Sequence, residues 1–157
     1  MRKKTTQAMT MACTAGLIAL AVASAAAHHA FGAEFDAKRP VQLKGKVVKV
    51  EWVNPHAWIH IEVSECSGAV TRCVNADGTK QVWMVEGGTP NTLLRRGVTK
   101  DSLPYGAEIV VDGYQAKDGS THANGRDLTF PDGRKLFLGS SGTGAPGDSN
   151  PPNQPSR

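Results

Sequence analysis

The sequence lacks the short motifs that mark the common catalytic sites. It has no nucleophile elbow, no Walker loop, no His-Glu-x-x-His pair and no paired-carboxylate signature. It also has little excess charge, because three of its 18 Lys and Arg residues stand at positions 2–4 and the other 15 nearly balance the 14 Asp and Glu residues. The small excess of positive charge argues against a globally basic nucleic-acid binder. The composition argues against collagen-like, coiled-coil and multi-pass membrane proteins. At 157 residues the chain is one domain at most.

The N-terminal region has the pattern of an export signal. Residues 2–4 are basic, residues 9–22 are apolar and uncharged, and residues 23–27 are small. We therefore predict a signal peptide over residues 1–27. Cleavage near Ala27 would give a periplasmic or secreted protein that meets the membrane only during export.

The cleavage point decides the chemistry of the new N-terminus. Cleavage after Ala27 exposes His28 with a free amine, whereas cleavage one or two residues earlier does not. An uncleaved membrane anchor and a lipoprotein tethered through Cys13 are the alternatives. The Ala-rich apolar run argues against the anchor, and the position of Cys13 ahead of most of that run argues against the lipoprotein.

Cysteine is scarce, with three residues in the whole chain. Once the signal is removed, Cys66 and Cys73 remain as an even pair in an oxidising compartment. We predict a disulfide between them that closes a short loop, with two free thiols as the alternative. A zinc site is poorly supported because no second Cys or His pair lies nearby.

Strand patterns dominate the mature chain. Residues 41–53 predict a long strand that changes its buried face near Gly45, which indicates a bulge. Residues 57–64 alternate strictly and predict the second strand of a hairpin. Further along, the sequence predicts a third strand at 81–86, a short helix at 90–96 capped by Thr89, a fourth strand at 108–116, and a fifth at 126–138 folded on itself at 131–133.

This order of elements indicates a mainly β protein. A small five-stranded OB-like barrel, with one short helix between strands 3 and 4, fits the order best. We assign it to residues 28–138 as a single domain, with an open β-sandwich or roll as the alternative. The Gly, Ser and Pro-rich residues 139–157 predict a disordered tail.

Histidine is the unusual feature, since all five histidines follow residue 27. If His28 is the first residue, its amine and imidazole can chelate one ion together, an arrangement that favours Cu(II). His29 offers a competing mode through its own imidazole. A specific site needs a further ligand from the fold, for which His56 is the candidate, with Phe31 and Phe35 expected to pack the N-terminal segment onto the barrel.

Two other interpretations of the histidines stay open. A His-His terminus also binds copper adventitiously, with His56 capping a turn. Alternatively, Trp58, His60 and Glu62 share one strand face that suits a ligand surface of the kind OB-like barrels use. His56 and His60 are poor partners for one ion, because four residues of strand span about 13 Å.

Five short motifs together resemble an exported bacterial family of unknown function whose mature end begins His-His-x-Phe. They are His-His-Ala-Phe at 28–31, Asn-Pro-His-Ala-Trp at 54–58, Leu-Arg-Arg-Gly at 94–97, Ala-Lys-Asp-Gly at 116–119 and Pro-Asp-Gly-Arg-Lys at 131–135. The resemblance implies a Gram-negative exported protein with a small β-rich domain, and it carries no established activity. Beside shorter members, the segment 66–73 resembles an insertion.

The sequence thus favours an exported, non-enzymatic protein that binds a small ligand. A copper-type metal ion is the sharpest candidate, held by His28, His29 and His56. The alternative is a cell-envelope module that recognises a polymer or a protein partner, with its histidines incidental. A hydrolase or redox enzyme would need a metal at an open site.

Overall fold

The computed structural model describes residues 30–139 and 145–146. The predicted signal peptide, His28, His29 and most of the predicted tail lie outside the described residues. In chain order the elements are α1 (Ala30–Glu34), β1 (Phe35–Trp52), β2 (Ala57–Gly68), β3 (Val82–Glu86), α2 (Pro90–Arg95), a 3-10 turn (Lys100–Ser102), β4 (Glu108–Ala116), β5 (His122–Thr129) and β6 (Lys135–Phe137).

The six strands form one sheet in the order β3-β2-β1-β4-β5-β6, with antiparallel neighbours. β3 also pairs in parallel with β5, so the hydrogen bonds between strands close a ring. The mainly β prediction is therefore confirmed. Alternate residues of these strands point inside the ring and form the core, including Leu43, Ile59, Ile61, Trp83, Val85, Ile109 and Leu128.

β1 holds the sheet together because it pairs with β2 on one side and β4 on the other. Its pairing with β2 shifts register between Lys44 and Gly45 and again between Val47 and Lys49, which confirms the predicted bulge. A Cβ at Gly45 would lie 2.2 Å from the Glu62 carbonyl oxygen, so only glycine fits here. β1 begins at Phe35, six residues before the predicted start.

The predicted helix between the third and fourth strands is confirmed as α2. The Thr89 hydroxyl accepts a hydrogen bond from the Thr92 amide at 3.1 Å, which caps the helix, and Pro90 fits the first turn, where no backbone donor is needed. Gly97, with a φ of +79°, lets the chain leave the helix. α1 and the 3-10 turn were not predicted. None of the helices in the described part of the chain is long and apolar enough to span a bilayer.

The predicted fifth strand over residues 126–138 is wrong in its limits. β5 begins four residues earlier, at His122, and β6 is a separate strand after the turn, so the sheet has six strands and not five. The residues that open β5 carry no apolar alternation, because Ala123 and Gly125 are small. They form a strand through tertiary pairing, with β3 in parallel and with β4.

A disulfide bond and a second apolar cluster supplement the main core. The predicted disulfide between Cys66 and Cys73 is present and ties the end of β2 to the loop that follows. Phe31 and Phe35 are buried together against Tyr114, in a small apolar cluster separate from the core. Residues 31–35 thus pack on the sheet through both phenylalanines, as predicted, while His28 and His29 lie outside the described residues.

Candidate functional site

Two histidines and two carboxylates lie together where β2, β3 and β5 meet, around Trp58. We call this group the histidine–carboxylate cluster; it comprises Glu34, His56, Glu86 and His122. Trp58 pairs with Glu86 across β2 and β3, and His122 opens β5 beside Met84 of β3. The parallel pairing of β3 with β5 and the end of α1 bring these residues together from four parts of the sequence.

His56 is oriented by the chain on both sides of it. It follows a cis Asn54–Pro55 peptide and immediately precedes β2. Its Nδ1 lies 3.2 Å from the Gly87 carbonyl oxygen and 3.1 Å from Glu86 Oε1. A carbonyl oxygen only accepts hydrogen bonds, so Nδ1 carries a proton and the Nε2 of a neutral His56 keeps its lone pair. The described residues thus provide contacts to Nδ1 of this ring.

Glu86 is a carboxylate held almost out of water. Its side chain is 10% exposed, at the last position of β3. Burial raises the pKa of Glu86 to about 7, the neighbouring His56 opposes this rise, and the charge of Glu34 adds to it. Near neutral pH the carboxyl group therefore takes up or releases a proton beside His56.

His122 also lies beside a carboxylate and in contact with Trp58. Its Nδ1 lies 3.2 Å from Glu34 Oε1, and its ring packs between Phe35, at 5.2 Å between centroids, and Trp58, at 5.1 Å. Its Nε2 is buried and has no hydrogen-bond partner in the described part of the chain. A buried nitrogen without a partner costs about 1–3 kcal/mol, which calls for a specific explanation.

The three residues of the predicted ligand face, Trp58, His60 and Glu62, have different neighbours. Trp58 lies beside the histidine–carboxylate cluster, with its ring 6.5 Å from that of His56. The Nε2 of His60 instead bonds to Glu51 at 2.9 Å, and Glu51 also pairs with Lys49. Glu62 pairs with Lys80 at 3.2 Å. The structure therefore brings Trp58 close to His56 and leaves His60 and Glu62 with other partners.

The cluster has the parts of a cation site but not a complete set of ligands. Within residues 30–139, no three His, Cys, Asp or Glu side chains lie close enough together to hold one metal ion. Metal-binding histidines usually donate their second ring nitrogen to a carboxylate or carbonyl oxygen, as the positions of His56 and His122 allow. Further ligands for such an ion would have to come from outside the described residues.

Sequence reasoning gave His56 a role but missed Glu34 and Glu86. Glu86 ends a strand just before Gly87 and Gly88, and a carboxylate at the end of a buried strand is a usable signal. Glu34 gave no such signal, because its contact with His122 depends on α1 and on the parallel pairing of β5.

A cleft of about 360 Å³ is lined by residues of β1, β2, β4 and β5 and by none of the histidines. Its polar lining includes Gln42, Asp112, Tyr114, Arg126 and Asp127. Burial raises the pKa of Asp127, Arg126 opposes the rise, and Asp112 adds to it. We assign the candidate site to the histidine–carboxylate cluster because its residues have perturbed or unpartnered groups converging on one place.

Fold and site together define a small β-sheet protein with a histidine–carboxylate cluster at one end of a hydrogen-bonded ring. The chain belongs to the family described as Family of unknown function (DUF6152), whose model matches residues 15–125. No curated protein and no solved structure matches it.

Proposed function

We propose that this chain is an exported ligand-binding protein that holds a copper-type metal ion with His28, His29 and His56. The ring of strands, with α2 between β3 and β4, supports an OB-like barrel as the scaffold. Residues 1–27 would direct export, and removal of the signal would free the amine of His28.

The orientation of His56 carries this proposal. Its Nδ1 faces the Gly87 carbonyl and Glu86, which leaves Nε2 of the same ring as the nitrogen that could bind an ion. Its side chain is 24% exposed, which leaves an ion access to it. Capping a turn does not require a buried carboxylate such as Glu86, whose Oε1 lies 3.1 Å from Nδ1 of His56.

The packing of α1 supports a contribution from the N-terminal histidines. His28 and His29 immediately precede α1, which Phe31 anchors to Tyr114 with rings 5.5 Å apart. The last residue of α1, Glu34, contacts His122 in the cluster. Ordering the chain next to a ligand reduces the entropy lost when the ion binds.

Copper titration of the exported protein tests the proposal. The full chain is expressed with its own N-terminus, purified from the periplasm without a tag, and its first residue is read by N-terminal sequencing. Cu(II) affinity is then measured for this protein, for His56→Ala and for a peptide of residues 28–35. We expect the variant and the peptide to bind at least tenfold more weakly than the protein, and Zn(II) to bind more weakly than Cu(II).

His60→Ala is the matched control, since His60 also contacts a carboxylate but lies outside the cluster. It should keep the affinity of the unmodified protein. Equal affinity of protein, His56→Ala and peptide would refute a site built by the fold and favour the polymer or protein partner instead. A mature sequence that does not begin at His28 would remove the amine–imidazole chelate.

A further inference from the structure

We propose that the cleft lined by β1, β2, β4 and β5 is a second binding site, and that it takes a neutral oligosaccharide. The cleft has a volume of about 360 Å³, within the range of about 300–1,000 Å³ that is typical of small-molecule sites. Among the described residues, no histidine lines it. This site is therefore separate from the histidine–carboxylate cluster, and it does not depend on the binding of a metal ion.

A row of polar side chains crosses the cleft from strand to strand. Gln42 of β1 pairs with Ser67 of β2 on one side and with Asp112 of β4 on the other. Asp112 in turn pairs with Asp127 of β5. Side chains directly opposite each other on neighbouring strands lie on one face of the sheet. The row therefore offers a hydroxyl, an amide and two carboxylates side by side, and all four residues line the cleft.

A bulge in β5 adds a cation to this row. The pairing of β4 with β5 shifts register between Asp112 and Gly113, whose partners are Asp127 and Gly125. Arg126 is the extra residue, and bulges beside functional sites often re-aim a side chain. Its Nε lies 3.4 Å from Asp127 Oδ2, although successive side chains of a regular strand point to opposite faces. The bulge therefore brings a guanidinium donor beside the acceptors of the row.

The hydrogen-bonding groups of the cleft are held in place by the protein itself. Gln42 Nε2 donates to Asp112 Oδ1 at 2.8 Å, and both side chains have the capacity for further hydrogen bonds. The Asp127 side chain is 24% exposed, so a ligand that bonds to it competes with little water. Tyr114, another lining residue, packs edge-on against Phe31 with rings 5.5 Å apart. Groups that are already ordered reduce the entropy lost when a ligand binds.

The chemistry of the lining favours a neutral, hydroxyl-rich ligand over other classes. Two carboxylates and one guanidinium leave a negative charge, which opposes nucleic acid and other phosphate-bearing molecules. The charge of Arg126 beside Asp127 also opposes a metal ion at the two carboxylates. A peptide strand needs a free sheet edge, but β1 is already paired here with β2 and β4, and β4 with β5. Sugar hydroxyl groups both donate and accept, so they match carboxylate, amide and guanidinium groups together.

The cleft continues into a second depression, which favours a chain of several sugar rings over a single ring. The second depression has a volume of about 260 Å³ and shares Gln42 and Ser67 with the cleft. Its lining adds Lys44 and Glu65, an exposed ion pair at 2.6 Å. The two depressions thus form one polar groove across β1, in which neighbouring rings of an oligosaccharide can lie.

Titration of the mature protein with neutral hexasaccharides tests the proposal. Cellohexaose, laminarihexaose and maltohexaose are each added to the exported, nitrogen-15-labelled protein in the presence of EDTA, so that metal binding at the histidines plays no part. We expect at least one of them to bind saturably at millimolar concentration and to move the side-chain amide resonance of Gln42. The side-chain amide of Gln81 lies outside the groove and bonds to the Val74 carbonyl oxygen, so its resonance should not move.

Substitutions in the cleft measure the contribution of the carboxylates. Asp112→Asn and Asp127→Asn should each weaken hexasaccharide binding about tenfold, because each replaces a charged hydrogen-bond acceptor by a neutral amide. Asp132→Asn is the matched control, since Asp132 bonds to Arg134 and lines neither depression, and its affinity should stay within about twofold. Urea unfolding shows whether each variant is folded.

Two results would overturn the proposal, and the first needs no variant. It is an unmoved Gln42 resonance with all three hexasaccharides at millimolar concentration. The second is unchanged affinity in both Asp112→Asn and Asp127→Asn. Spermine, a polyamine, is titrated separately, and a Gln42 resonance that moves with spermine but with no hexasaccharide would assign the cleft to a cationic ligand instead.

Discussion

The protonation of Glu86 is linked to the folding of the chain. Its pKa is about 7 in the folded protein against an ordinary 4.5, because burial penalises the charged form. The folded state therefore holds a proton that the unfolded chain gives up. The stability linked to Glu86 is fully present below about pH 4.5 and is lost as the pH rises through about 7.

Glu86→Gln should remove this pH dependence. The neutral amide keeps the shape of the carboxyl group but does not titrate. From pH 5 to pH 8, the free energy of unfolding should therefore fall by about 2 kcal/mol more in the unmodified protein than in the variant. Urea unfolding at the two pH values measures the difference. Glu62→Gln, in an exposed pair with Lys80, is the control and should follow the unmodified protein. Parallel pH profiles for Glu86→Gln and the unmodified protein would contradict the assignment.

Gly45 makes a backbone contact that no side chain can share. A Cβ there would lie 2.2 Å from the Glu62 carbonyl oxygen, inside the pairing of β1 with β2. Gly45→Ala should therefore cost about 2 kcal/mol or more in the free energy of unfolding, because backbone must move. Gly32→Ala, on α1 with nothing within 4 Å of the added Cβ, should be neutral or slightly stabilising. Equal effects of the two substitutions would show that the bulge tolerates a side chain.

Among the elements, the loop closed by Cys66 and Cys73 gives the most direct test. The disulfide joins residues seven apart, and such a short closure stabilises the fold by roughly 2–3 kcal/mol. Replacing both cysteines by serine should lower the free energy of unfolding by that amount. Intact-mass measurement of the exported protein, after alkylation without reduction, should find neither thiol modified. Two alkylated thiols would show that the bond does not form in the exported protein.

Elements with local signals were predictable from the sequence. β2 alternates strictly, α2 has its cap at Thr89 and its stop at Gly97, and β4 lies where predicted. The start of β5 was not predictable, because Gly125 lies so close to Val85 that a Cβ there would meet its side chain at 2.7 Å. Small residues allow the two strands to approach this closely. They do not produce the alternation of apolar and polar residues by which a strand is detected in a sequence.

The candidate site, too, has one part that the local sequence predicts and one part that depends on the fold of the whole molecule. His56 was predictable because it sits in a local Asn-Pro-His motif. The contact between His122 and Glu34 joins residues 88 positions apart through α1 and the β3–β5 pairing. No local pattern encodes such a contact, since it exists only after the ring of strands has closed.

The whole molecule has a main core inside the ring and a smaller apolar cluster under the N-terminal segment, and the two can be separated by substitution. Phe31 is 5% exposed and packs in the smaller cluster, against Phe35 and Tyr114. Phe31→Ala should release α1 by local opening while the main core stays folded. We expect the free energy of global unfolding to change by about 1 kcal/mol or less, and Cu(II) affinity to fall toward that of the peptide of residues 28–35.

Ile109→Ala is the opposite case, because Ile109 is buried in the main core. It should cost about 2–5 kcal/mol of global stability and leave copper affinity unchanged while the protein is folded. Urea unfolding and amide hydrogen exchange over residues 30–35 measure global and local stability separately for each variant, beside a Cu(II) titration. Copper affinity unchanged in Phe31→Ala, with rapid exchange over those residues, would show that the ion does not need the N-terminal segment to be held on the sheet.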